Sequence, residues 1–207
     1  MKPMLFSAEM VRAIQEDRKT VTRRLIRPML PDGVRTLFPV QRKNGTLWRS
    51  EGEDIWCEVK PPHHPGDILW VRETWAHPSI AEIAAGADPN MYLYKADVMQ
   101  PAAWDKWLPS IHMPKEAARL FLHVKAVRAE RLRDIDKHWD NYKREGVVPL
   151  DAVIPNSSWY ERFIYLWNST IKPSELPLYG WEANPWVWVI EFERISKEAA
   201  LGGGGDG

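Results

Sequence analysis

The chain has 207 residues, with 44% hydrophobic and 27% charged side chains and a formal net charge of zero. That length suits one domain with elaborations around a sizeable core. No run of 18 apolar residues is present, so no membrane span is expected. The start "MKPMLFSAEMV" lacks the apolar stretch and small-residue cleavage site of a signal peptide. The single cysteine, Cys57, excludes an internal disulfide framework and points to a reducing cytoplasm. The charge is unevenly spread. Residues 1–50 carry 11 Lys or Arg against 4 Asp or Glu, and the rest carries the opposite excess. An anionic ligand near the N-terminal segment and simple pairing of two surfaces both account for this asymmetry. The twelve tryptophans read mainly as core, with some available as base-stacking platforms.

In chain order, residues 7–16 read as a short helix capped by Ser7, with Glu9 in the first turn and an apolar stripe of Met10, Val11 and Ile14. The helix stops near Asp17. "KTVTRRL" then reads as a strand. Residues 29–62 read as a loop insertion containing a hairpin, signalled by Asn44-Gly45. "DILWVRETW" and "MYLYKA" are strands. "AARLFLHVKAVRAERL" alternates Leu120, Leu122, Val124 and Ala126 against Arg119, Phe121, His123 and Lys125, the pattern of a half-buried strand. "DIDKHWDNYKREG" reads as a helix stopped by Gly146. "SSWYERFIYLWNSTI" is a second helix, capped by Ser157 or Ser158, with Trp159, Phe163, Leu166 and Trp167 as its buried stripe. "NPWVWVIEFERI" is a closing strand, and residues 197–207 read as a flexible tail. The order shows no βαβ alternation, so a parallel sheet is not expected. The fold class is α+β, a small curved sheet or barrel with helices at its ends.

Common site signatures are missing: there is no Gly-rich phosphate loop and no G-x-S-x-G. His63 and His64 have no further ligand at a usual spacing, so no metal is expected, and no cofactor is called for. Cys57 in "DIWCEV" reads as a small buried apolar residue. The informative stretch is "DRKTVTRRL", residues 17–25. A Thr hydroxyl is a weak nucleophile until a base removes its proton. Lys19 can be that base if burial and the cations Arg18, Arg23 and Arg24 lower its pKa. The same run also fits a solvated basic edge or a phosphate-binding strip. In a regular strand residues 19 and 22 point to opposite faces. Lys19 and Thr22 therefore share a pocket only if the backbone departs from a strand near residues 19–21.

The ordered runs "AIQEDRKTVTRRLI", "HPGDILWVRETW", "PSIHMPKEAARLFLHV", "KREGV" and "NPWVWVIEFERI" resemble the ASCH-domain family, especially its larger, Trp-rich, often phage-borne members. The similarity covers most of residues 3–196, outside the insertion. It implies a single domain over residues 1–196 with a PUA-like fold, a mostly antiparallel β-barrel with flanking helices. One branch of the family removes the acyl group from N4-acetylcytidine and related N4-acylated cytosines, using a Lys-x-x-Thr pair and a downstream Glu. That resemblance assigns Lys19, Thr22 and Glu145 to catalysis and Arg24 to the basic position after the threonine. It implies deprotonated Lys19 as base, Thr22 as nucleophile and protonated Glu145 as acid. Arg24 and Arg72 are candidates for the oxyanion. Glu73, Trp75, Ser110, His112 and Met113 are candidates for holding the base. Arg72 with Glu73 also reads as an ion pair on a strand, Trp75 as core, and His112 as the cap of a turn. Asp17 stands where the family usually has Gly, the residue that turns left-handed at least cost. The implied partner is a modified cytosine nucleoside or RNA, with the chain a monomer or weak homodimer. The alternatives are a non-catalytic module that binds RNA or a modified base, and a ribonuclease, for which His112 is the one acid–base group in view.

Overall fold

A computed structural model describes residues 1–42, 45–51, 57–98, 106–137, 140–148 and 158–202. Its strands are β1 (Lys2–Leu5), β2 (Val21–Leu25), β3 (Thr36–Arg42), β4 (Gly45–Glu51), β5 (Glu58–Val59), β6 (Ile68–Arg72), β7 (Trp75–Ala76), β8 (Leu93–Tyr94), β9 (Phe121–Arg131) and β10 (Trp186–Ile195). Its helices are α1 (Ala8–Gln15), α2 (Ile80–Ala84), α3 (Asp140–Arg144), α4 (Trp159–Ser169), α5 (Leu176–Tyr179) and α6 (Lys197–Ala200), joined by several 3₁₀ turns. The fold is mixed α+β. Five strands form one sheet in the order β1-β6-β9-β10-β2, and β3-β4-β5 and β7-β8 form two smaller sheets. Among the described residues no pairing closes the five-stranded sheet into a barrel. The sheet is also not purely antiparallel, because β1 runs parallel to β6 in the register Lys2↔Leu69 to Leu5↔Arg72. β1 escaped the sequence reading because only Met4 in it is buried, so it carries no alternation. Among the described residues no helix is long and apolar enough to cross a membrane.

The chain gathers into two compact units. The first holds residues 1–17, 67–123 and 193–207, and the second residues 18–66 and 124–192. In the first, Ser7 caps α1 by accepting from the Met10 N–H, as its position before the apolar stripe requires. A core of Trp70, Trp75, Met113, Ala117, Ala118, Phe121 and Ala200 fills this unit. Phe121, placed by alternation on the polar side of its strand, is buried along with the next residue Leu122, so the start of β9 is covered on both faces. α6, capped by Ser196, brings helical structure into the expected tail.

In the second unit β2 pairs antiparallel with β10, Val187↔Leu25 to Glu191↔Val21. β3 and β4 form the expected hairpin in the register Arg42↔Gly45. The residues between them, including Asn44, lie outside the described residues. Cys57 is half-buried and its N–H donates to the Ser50 hydroxyl, so it is less enclosed than its apolar context implied. α4 begins with a capping box in which Ser158 and Glu161 exchange hydrogen bonds, while Ser157 lies outside the described residues. Phe163 and Trp167 of α4 are buried against Val21, Tyr142, Trp181, Val187 and Val189, with Trp159 and Leu166 packed at the margin. The single helix expected over residues 134–146 is a 3₁₀ turn, Leu132–Lys137, followed by the short α3.

Candidate functional site

One helix in each unit ends in a left-handed residue next to a candidate segment in sequence. α1 ends at Glu16, and Asp17 follows with φ of 55°, its N–H donating to the Ile14 carbonyl at 3.1 Å. A left-handed residue directly after the cap is the usual way a helix closes, and Gly does it most cheaply. Asp does it here with its carboxylate clamped by the Arg194 guanidinium at 3.0 and 3.1 Å. In the other unit α3 ends the same way. The Glu145 N–H donates to the Asn141 carbonyl, and Gly146 follows at φ 77°. This exit brings the Glu145 backbone into an antiparallel bridge with Lys19.

The backbone departs from a regular strand between Lys19 and β2. The Thr20 N–H donates to the Arg144 carbonyl at 2.9 Å, while the Thr20 carbonyl accepts from the Phe192 N–H at 2.9 Å. In a regular strand both groups of one residue face the same neighbour. Their division between two segments marks a backbone irregularity just before β2.

Lys19 and Glu145 are brought together. Both are buried, at 3% and 4% exposure. Lys19 Nζ donates to the Val21 carbonyl (2.7 Å), the Glu145 carbonyl (2.7 Å) and Glu145 Oε2 (2.9 Å). Arg23 NH1 donates to Glu145 Oε1 at 2.7 Å, so both carboxylate oxygens carry a cationic donor. Burial is the strongest influence on Lys19 and pulls its pKa down. Arg24 and Arg23 act in the same sense, and Glu145 opposes them without prevailing. Burial pushes Glu145 up, but the charges and hydrogen bonds of Lys19 and Arg23 outweigh it and hold the carboxyl below its ordinary range. These partners favour the carboxylate form of Glu145, whereas the family resemblance implied a protonated acid there.

Thr22 is buried on β2 opposite Ile190 of β10. Strand alternation puts Val21 and Arg23 on one face and Thr22 and Arg24 on the other. Arg24 is half-buried, and burial lowers its pKa against the pull of Glu145.

The remaining candidates lie in the other unit, where several meet in one packed region. Arg72 donates from Nε (3.2 Å) and NH2 (3.1 Å) to the Met113 carbonyl, and from NH2 to that of Ile111, pinning the turn at Ser110–His112. Glu73 is ion-paired, but with Arg119 and not with the adjacent Arg72. Burial raises its pKa more than Arg119 lowers it. The Glu73 N–H rests on the Met113 sulfur at 3.2 Å. Trp75 is core, edge-on to His77 and Tyr92. Ser110 is half-buried and His112 exposed. Among the described residues no group of His, Cys, Asp and Glu is arranged to hold a metal ion.

The residue that sequence reasoning undervalued is Arg23. It entered only as a nearby cation, yet it is the direct second partner of Glu145. No local pattern singled it out, because the backbone between Lys19 and β2 is not a regular strand. Glu130, Arg128, Glu191 and Arg144, which extend the cluster, gave no local sign of it. No protein-family model, curated protein or solved structure matches the chain.

Proposed function

We propose that the chain is an amidohydrolase that removes the acyl group from N4-acetylcytidine or a related N4-acylated cytosine nucleoside, with the five-stranded sheet belonging to a PUA-like barrel. The observation that carries this reading is the buried Lys19 amine, held by Glu145 and lowered in proton affinity, at the backbone break just before the buried Thr22.

A neutral amine keeps two N–H donors and gains a lone pair. Neutral Lys19 thus retains two of its three oxygen partners and turns its lone pair to the Thr22 hydroxyl. Thr22 Oγ attacks the acyl carbonyl as Lys19 takes the proton. The C–N4 bond then breaks, and the Lys19 ammonium returns that proton to the leaving amine. An acyl-threonine ester remains. Water attacks the ester, giving one proton to Lys19, which restores it to Thr22 as the carboxylic acid leaves. Ionised Glu145 holds the amine and stabilises the transient ammonium, so Lys19 serves as base and acid in turn. Arg24, on the Thr22 face, is the candidate donor to the oxyanion.

The test is cytidine release from N4-acetylcytidine, followed by chromatography, with intact-mass detection of an acetyl group on Thr22. Lys19→Ala and Thr22→Ala should each reduce turnover at least about a thousandfold. Absence of turnover in the wild-type protein, or turnover unchanged in Lys19→Ala, removes the reading.

A second reading, a module that binds a modified base or short RNA, has its own observation. A cavity of about 130 Å³ in the same unit is bounded by Tyr179, Trp186 and Arg131. That is close to the volume that takes a single six-membered ring. Three acceptors around Lys19 Nζ also suit a resting ammonium. This reading expects ligand binding without turnover, weakening with salt if phosphates are held.

A further inference from the structure

We propose that Arg23 is a positioning residue for the Lys19–Glu145 pair, fixing the carboxylate through Oε1 so that Oε2 stays on the lysine amine. This deepens the hydrolase reading above and rests on it for its catalytic consequence. Three observations carry it.

The first is the fork. Arg23 NH1 lies 2.7 Å from Glu145 Oε1, and its NH2 lies 3.8 Å from Glu130 Oε2. One planar guanidinium spans two carboxylates on different segments, which the point charge of a lysine does not. The second is the chain of alternating charge that continues from Glu130. Arg128 pairs with Glu130 and with Glu191, Arg144 NH2 meets Glu191 Oε2 at 2.9 Å, and Arg144 Nε lies 3.5 Å from the Thr20 hydroxyl. The sequence thus leaves Lys19 through Glu145 and Arg23 and returns to the residue beside Lys19, fixing the guanidinium from both ends. The third is that Arg23 is 6% exposed and its Nε–H is buried without an acceptor among the described residues. A buried donor left unmade is costly. The side chain holds this orientation for its two carboxylates, at the expense of its own third hydrogen-bonding direction.

The groups that bear on Lys19 are therefore Glu145 after α3, Arg23 and Arg24 on β2, Arg144 on α3, Glu130 and Arg128 on β9, and Glu191 on β10. Removing Arg23 deletes a like charge and frees Glu145 to serve Lys19 alone. Both changes favour the ammonium.

The experiment titrates the Lys19 side chain by its ¹³Cε NMR signal, identified by its loss in Lys19→Met, alongside hydrolysis of N4-acetylcytidine across pH. In folded Arg23→Gln the Lys19 midpoint should move up and the acidic limb of kcat should follow it. At neutral pH kcat should fall about tenfold or more, with KM changed less than about twofold. Arg23→Lys, which keeps one cation on Glu145 without the fork to Glu130, should show the same displacements to a smaller extent. It also serves if Arg23→Gln does not fold. An unmoved Lys19 midpoint in a folded variant overturns the positioning role, whatever happens to stability. A midpoint that moves in a wild-type background without turnover upholds the role of Arg23 and removes the hydrolase reading instead.

Discussion

Each unit has a buried glutamate at the centre of a charge cluster, and the two clusters differ in one respect that decides what each can do. In the first unit Glu73, 1% exposed, is gripped by Arg119 through both oxygens at 2.9 Å. Arg119 also pairs with Asp97 at 2.6 Å and lies 3.8 Å over the Tyr94 ring, and the Tyr94 hydroxyl donates to the Ala117 carbonyl. The cation there is an arginine, and its surroundings raise its proton affinity further. It does not titrate in water's working range. In the second unit Glu145 is shared between an arginine and a lysine, and the lysine is lowered. A buried pair whose cation is permanent ties elements together. A buried pair whose lysine is lowered in proton affinity suits the base role proposed for Lys19.

The largest effect that tests this contrast is Arg119→Met. It strands Glu73 in the core with no cation, and removing one partner of a buried pair costs about 3–5 kcal/mol. Arg119 retains some exposure, which places the expected loss toward the lower end. Urea unfolding gives the value directly. A loss below about 1 kcal/mol would mean that Glu73 relieves itself by protonation at little cost, and the two clusters would be alike.

Lys19→Met sharpens the contrast through pH. Lys19 has a folded pKa below its ordinary 10.5. Between those two values the unfolded chain binds a proton that the folded chain does not, so stability rises with pH in that window. Below the folded pKa the contribution is flat, with the full cost of charging the buried amine in place. Lys19→Met lacks this slope. Its stability relative to wild type should therefore fall as pH rises toward 10.5, by about 1.4 kcal/mol for each pH unit inside the window. The Arg119→Met difference should stay level over the same range, because arginine keeps its proton. Parallel curves for Lys19→Met and wild type would show that Lys19 remains an ammonium throughout and is not a base in waiting.

The sequence made the local parts of this contrast legible and hid the long-range ones. α1 with its Ser7 cap, the stop at Asp17, β2, the insertion hairpin and the Gly146 exit all follow from short-range chemistry: a capping oxygen, a left-handed position, a β-branched run. A backbone break before Thr22 was also named as the condition for Lys19 and Thr22 to share a site, because strand parity forbids it otherwise. Glu145 was reached only through the family resemblance. Its surroundings were out of reach of the sequence, because its second partner, Arg23, lies 122 residues away. Arg72 and Glu73 looked like a local pair, yet each is engaged by a residue 39 to 46 positions distant. β1 was missed for the complementary reason. It is a strand by virtue of its partner β6 and carries no period of its own.

The smallest expected effect concerns a third arginine–carboxylate pair, Arg194 with Asp17, which matches the Glu73 pair in geometry and differs in exposure. Both guanidinium contacts are near 3 Å, but the two side chains are 40% and 66% exposed. Water screens such a pair, and its worth is about 0–1 kcal/mol. Asp17 also stands at φ 55°, which costs a residue with a Cβ roughly 1 kcal/mol and costs Gly almost nothing. Asp17→Gly loses the first term and gains the second, so its unfolding free energy should stay within about 1 kcal/mol of wild type. Asp17→Val loses the pair and keeps the strain, without a side-chain oxygen to ease the turn, and should lose roughly 2 kcal/mol. If Asp17→Gly proved as damaging as Arg119→Met, exposure would not be what separates these pairs, and the ranking of the two buried clusters by their surroundings would fail with it. Arg194→Ala separates the terms. It removes the ion pair and leaves the backbone at residue 17 unchanged, so whatever it costs is the pair alone. The remainder of the Asp17→Val loss then measures how strongly the exit from α1 depends on a residue that accepts the left-handed turn, one residue before the segment that carries Lys19.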